Sequence, residues 1–331
     1  MKRSRISIWS IFFLLFLCFF FFLRFGFCQD NKSKIDQKDL KCFIQTLSSE
    51  SFSGRGLDHD GHQKTQEFII NRFKTLQIEP FLPDGYLEKF TLSPNSNGRF
   101  TLNNQNDDRQ QGEDTGRAGN MIETANVIGF IKGESNQSII ISAHYDHVGT
   151  IDSTYFPGAD DNASGVAALL ELAEEFVQSK HLKYSMIFLA TAAEELGLLG
   201  ASYHVKQSYF KPEKVFCHIN IDMISRCDDI HKNCAYLYYI GSDLPETIDS
   251  LIRETDTQFA ACKFDHSLNK SDIFARSDAQ IFKAQGVPSV LFFSGLHADY
   301  HQPTDTMDKI DFDIYENRVR LIGEVVKRLQ K

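Results

Sequence analysis

From Asn126 onward, short apolar runs and longer amphipathic stretches follow one another along the chain. The runs Val127–Ile131, Ile139–Ser142, Met186–Ala190, Val215–Ile221, Ala235–Ile240 and Pro288–Phe293 read as strands. Several are apolar on both faces, as in strands buried between helices. The stretches Ser164–Gln178, Leu199–Gln207, Pro245–Asp256, Asp278–Gln285 and Phe312–Leu329 read as helices. This alternation predicts an α/β fold with a sheet covered on both faces. Upstream, Asp36–Leu47 reads as a short helix. Gly61–Leu76 reads as an amphipathic one, with Phe68, Ile69, Phe73 and Leu76 on its apolar face. Ser93–Asn120 is rich in Asn, Gln, Asp, Arg and Gly and reads as an exposed loop, with a strand inside it at Phe100–Leu102.

Open α/β sheets bind ligands beyond the carboxyl ends of their strands. Here those exits carry imidazoles and carboxylates. Ile139–Ser142 runs into Ala143-His144-Tyr145-Asp146-His147, and Met186–Ala190 is followed by Ala193-Glu194-Glu195-Leu196-Gly197. Val215–Ile221 ends at Asp222-Met223. Asp160-Asp161-Asn162 precedes a helix, and Tyr300-His301-Gln302-Pro303-Thr304-Asp305 lies near the C-terminus. Taken singly, His144 is a loop histidine, Glu194-Glu195 a solvated surface pair, and Asp161-Asn162 a helix cap. Asp222 is harder to dismiss, because a carboxylate ending an apolar strand is costly unless paired. Their joint occurrence at one sheet edge has the composition of a divalent-metal site, and the nitrogen–oxygen mix favours zinc.

These segments resemble the M28 family of zinc peptidases, of the secreted bacterial aminopeptidase type. The likeness runs from about Ser51 to the C-terminus. It is carried by H-x-D at His144–Asp146, D-D-N-x-S-G at Asp160–Gly165, E-E-x-G-L at Glu194–Leu198, D-M at Asp222–Met223 and Y-H-x-x-x-D at Tyr300–Asp305. The resemblance implies a three-layer α/β/α sandwich around a mixed, mostly parallel sheet. It implies two zinc ions, one held by His144 and Asp222, the other by Glu195 and His301, with Asp161 bridging them and Asp160 outside the ligand set. It makes Glu194 the general base and places Asp146 behind His144 and Asp305 behind His301, where outer partners orient ligands. It also implies a cis peptide between Asp161 and Asn162. One departure is Ala279, where many relatives carry His, in a region expected to shape the pocket wall.

The implied reaction is removal of the N-terminal residue from a peptide by a water held between the two ions, with a proton passing through Glu194. A single-zinc glutaminyl cyclase is the main alternative. A carboxypeptidase or dipeptidase of the same fold is another, and a binding module that has lost catalysis is a third. The substrates expected are peptides with a free N-terminus. His297 and Tyr300 are candidates to line the pocket.

The first 28 residues change the charge balance. They hold nine Phe, four basic residues (Lys2, Arg3, Arg5, Arg24) and no acidic ones. A basic start, uncharged Ile6–Leu23 and a short following segment describe a signal peptide cleaved before Gln29, or an uncleaved anchor. The remainder, 29–331, reads as one peptidase domain. The whole chain has 35 basic and 44 acidic residues, and removing the four leaves 31 against 44, or −13. Such an acidic body argues against nucleic-acid binding. Export implies an oxidising compartment, in which Cys227 and Cys234, flanking a polar loop, either close a small disulfide or stay as two thiols.

Overall fold

Ten strands make one mixed sheet in this computed structural model, which describes residues 35–57, 59–95, 97, 99–103, 120–241 and 244–331. In chain order they are β1 (Glu79–Pro80), β2 (Leu87–Pro94), β3 (Phe100–Leu102), β4 (Ile122–Ile131), β5 (Ser138–His144), β6 (Ser185–Thr191), β7 (Val215–Ile221), β8 (Tyr236–Ile240), β9 (Lys263–Asp265) and β10 (Ser289–Phe293). Their order across the sheet is β9-β8-β10-β7-β5-β6-β4-β2-β3, with β1 against β4. The centre, β10-β7-β5-β6, is parallel. β4, β2 and β3 add antiparallel strands on one side. The four central strands therefore send their carboxyl ends to the same edge.

Helices cover both faces. α1 (Gln37–Leu47), α2 (Asp60–Thr75), α3 (Gly165–Val177), α5 (Glu246–Gln258) and α7 (Phe312–Leu329) pack on one face, and α4 (Leu199–His204) and α6 (Asp278–Ala284) on the other. Period-two alternation divides the strands between the faces. Ile139 and Ile141 join the first core and Ile140 the second, while Phe188 joins the first and Leu189 the second. α3 buries ten of its thirteen residues, so it reads apolar on every side. It starts immediately after the turn that holds Asp161, so its packing fixes that turn.

The predicted strands and helices all appear, with ends shifted by a few residues. β2 went unread because its inward positions are Glu88, Phe90 and Leu92, and the buried Glu88 hides the alternation. β9 is three residues with Lys and Asp at its ends, too short and polar to read. β2 also takes in Ser93 and Pro94, which the sequence assigned to the loop. The leader at 1–28 and most of the polar segment, 104–119, lie outside the described residues. Among the described residues no helix is long and apolar enough to cross a membrane. Cys227 and Cys234 form a disulfide, and Cys42, Cys217 and Cys262 are free thiols.

Candidate metal centre

The strand exits turn sharply where they meet the site. Ala193, Met223 and His301 take φ of 57°, 46° and 54°, a region that costs a non-glycine residue energy and that clusters at functional sites. The peptide between Asp161 and Asn162 is cis, as the resemblance implied. The Asn162 side chain ties this turn to the β7 exit. Its Nδ2 donates to the Ile221 carbonyl at 3.0 Å, and its Oδ1 accepts the Met223 N–H at 3.1 Å. Asp222 is thus held beside Asp161 by the chain on either side of it.

Two groups of ligand atoms result. His144, Asp161 and Asp222 form one, and Asp161, Glu195, His301 and His147 form the other. His144 Nε2 lies 3.4 Å from Asp161 Oδ1 and 3.3 Å from Asp222 Oδ1. His301 Nε2 lies 3.1 Å from both Asp161 Oδ2 and Glu195 Oε2. Each oxygen of Asp161 therefore faces a different group. Neither group takes an atom from Glu194, which lines the same cavity beside them.

The chemistry of this donor set fits a pair of divalent cations. Asp161 Oδ2 and His301 Nε2 are buried without a hydrogen-bond partner, although they are 3.1 Å apart. Buried polar atoms are nearly always paired. Lone pairs that converge without bonding to one another are what metal ligands present. The spacings also agree with tetrahedral edges of about 3.4 Å, expected around an ion with ligands at ~2.0–2.1 Å.

Among the protein's own groups the electrostatics are those of crowded carboxylates. Burial, with the Glu195, Asp222 and Asp278 carboxylates, pushes the Glu194 carboxyl well above its usual range, against the pull of His144. Burial disfavours the charged His301 ring, yet Asp161 and Glu195 outweigh it and raise that pKa to about 10. Like charges packed this closely are costly unless protons or a cation offset them.

Several roles differ from the expectation. Asp146 does not hold His144 through its carboxylate, which stands 3.9 Å from Nδ1; the Asp146 main-chain carbonyl is nearer, at 3.2 Å. The carboxylate instead accepts the N–H groups of Glu194 (3.1 Å) and Glu195 (3.3 Å), because the β5 and β6 exits are adjacent. Asp305 accepts the N–H groups of Asp160 and Asp161, both at 3.1 Å, so it braces the bridging turn rather than His301. Asp160 is occupied by Ser225 (2.7 Å) and by His297 (3.1 Å), which explains both its exclusion from the ligands and the location of His297 behind the turn. Tyr300 lines the cavity and stacks on His301 with ring centroids 3.9 Å apart. Ser277, Met223, Leu291 and Phe293 are on the cavity wall, and Ala279 is not on it but joins the apolar cluster of the last three.

Two residues escaped the sequence reading. Arg55 is fully buried and donates to five main-chain carbonyls, those of Leu47, Tyr145, Pro157, Gly158 and Asp161, at 2.7–3.0 Å. It staples the turn carrying Asp161 to the loop after β5. No local pattern marks it, because all its partners are backbone atoms and four of the five lie 90 to 106 residues away. His147 follows His144 by three residues, and its place at a strand exit is the signal that the sequence offers.

A model of peptidase family M28 matches residues 126–326, which is more than half of the chain. The chain belongs to peptidase family M28. This M28 chain is similar to the probable lipoprotein aminopeptidase LpqL of Mycobacterium tuberculosis, with 30% identity over 224 residues, covering 57% of this chain and 42% of LpqL. The M28 chain spans about half the length of the curated relatives it matches. Its fold is shared with the aminopeptidase from Aneurinibacillus sp. strain AM-1, at TM-score 0.65 and 19% identity, covering 89% of this chain and 94% of that one. It is equally shared with the glutaminyl cyclase of Porphyromonas gingivalis, at TM-score 0.66 and 17% identity, covering 89% and 97%.

Proposed function

We propose that this M28 chain is a zinc aminopeptidase with two co-catalytic ions, cleaving the N-terminal residue from peptides. The observation that carries the reading is Asp161, whose two oxygens face two separate groups of ligand atoms. His144 and Asp222 would hold one ion with Asp161 Oδ1, and Glu195 and His301 the other with Oδ2. When bound, such a pair polarises the scissile carbonyl and makes a water nucleophilic near neutral pH. Glu194, beside both groups and ligating neither, accepts the proton of that water and returns it to the leaving amine. The Asp146 carboxylate holds the Glu194 and Glu195 amides, which keeps base and ligand in register. Met223, Ile273, Leu291, Phe293 and Leu296 line the cavity and favour an apolar side chain at the substrate's N-terminal residue. A free α-amine distinguishes this substrate class from blocked peptides. The leader at 1–28 is read as an export signal or anchor, in keeping with the lipoprotein description of LpqL.

The test is Glu194→Gln. The variant should keep its zinc and lose about 10²–10⁴ in kcat on aminoacyl-nitroanilides. Near wild-type turnover would remove Glu194 from the base role. A single-zinc glutaminyl cyclase is the second reading, supported by the likeness to the Porphyromonas gingivalis fold. A glutaminyl peptide separates the two, since a cyclase releases ammonia from it and a peptidase releases glutamine.

A further inference from the structure

We propose that His147 is a sixth protein ligand of the centre, so that the two metal positions are unequal: three protein ligands at one, four at the other. The inference rests on the two-metal reading above. His147 Nδ1 is 3.0 Å from Glu195 Oε1 and 3.5 Å from Asp161 Oδ2, and it groups with His301 within the same 4.8 Å cluster. Those separations bracket the edge of about 3.4 Å expected for a tetrahedral zinc site. The His147 side chain has no exposure. A lone hydrogen bond to Glu195 would leave Asp161 Oδ2 unpartnered in the same space, whereas ligation engages the Asp161, Glu195 and His301 atoms together.

The surrounding chain is built to keep this ring in place. Asp146 is anchored by the Glu194 and Glu195 amides, and His147 follows it directly. Gly158 takes φ 55° and approaches the ring so closely that a Cβ there would lie 2.5 Å from His147 Cδ2. The Arg55 guanidinium donates to the Gly158 carbonyl at 2.8 Å and fixes that approach. Nδ1 faces the other ligand atoms, so ligation requires the tautomer that carries its proton on Nε2. His144 and His301 face them through Nε2, which marks His147 as the odd member of the set.

Zinc X-ray absorption on the loaded wild-type protein tests the assignment without reference to turnover. Three imidazoles for every two zinc ions are expected, and His147→Gln should lower the count to two. Graded chelators should also find zinc binding weakened in His147→Gln by more than the ~10–100-fold that loss of an outer-shell partner brings. His181→Gln, at an exposed surface histidine, serves as the control and should change neither value. Two imidazoles for two ions in the wild type, with His147→Gln binding zinc as tightly, would reduce His147 to a hydrogen-bond partner of Glu195 and overturn the proposal. The wild-type spectrum decides even where the variant does not fold. One zinc per chain, carrying two imidazoles, would overturn the two-metal reading and leave His147 as a ligand.

Discussion

Two buried clusters in this protein use the same residue types on opposite plans. In the first, Glu88 points inward from β2 and is surrounded by donors. It accepts from His204 Nδ1 at 2.8 Å, from the Tyr209 hydroxyl, and from Asn126 Nδ2 at 2.5 Å. Asn126 in turn accepts the Ala192 N–H at 2.9 Å, on the exit of β6 that carries Glu194. Both carboxylate oxygens are bonded within the protein. In the second cluster Asp161, Glu194, Glu195 and Asp222 crowd together, and atoms of Asp161 and His301 have no hydrogen-bond partner. A carboxylate among donors is structural. Carboxylates facing one another, with lone pairs aimed at a common point, are prepared for a cation.

The largest break in that contrast should come from Asp161→Ala, which removes a side chain that both ligand groups share. Turnover should fall by more than about 10³-fold, since neither ion keeps its full donor set. Zinc should no longer raise the melting temperature, as calorimetry with and without zinc would show. Without zinc the variant should melt no lower than the wild type, because one of the crowded charges is gone. Glu88→Gln should do the reverse. It should cost about 1–3 kcal/mol in urea unfolding, the usual cost of disturbing a buried bonded network, and keep the zinc-induced shift. Loss of that shift in Glu88→Gln would mean the two clusters are not separable.

The smallest effect sharpens the contrast from a third place. Glu171 is buried in α3 with Oε2 accepting the Asp36 N–H at 2.8 Å and Oε1 unpartnered. Burial raises its pKa to about 8, from 4.5. Its folded form is therefore favoured when protonated. That stability is fully present below about pH 4.5 and is lost as pH rises through about 8. Glu171→Gln should remove this decline, so melting curves at pH 5 and pH 9 should lie closer together in the variant. An unchanged gap would place the decline elsewhere.

What could be read in advance follows from how local each signal is. Central strands such as β6, all seven residues buried, announce themselves as unbroken apolar runs. His144, Glu195 and Asp222 sit within about four residues of the ends of such strands, whereas Asp161 and His301 stand in loops and were marked by motif alone. Asp146 and Asp305 stand beside the candidate site, but their partners there are backbone amides, which carry no residue signature. Arg55 and Glu88 act across the fold and left no local trace. His147 is masked by its neighbours, because the H-x-D spacing of His144–Asp146 already accounts for the segment.

Native mass spectrometry of the zinc-loaded chain, combined with product analysis on leucyl and glutaminyl substrates, separates a two-zinc aminopeptidase from a single-zinc cyclase. Two zinc ions per chain are expected, with release of the free N-terminal residue from both substrates and no reaction when the α-amine is acetylated. One tightly held zinc, with the glutaminyl substrate closing to a lactam and the leucyl substrate untouched, would contradict it.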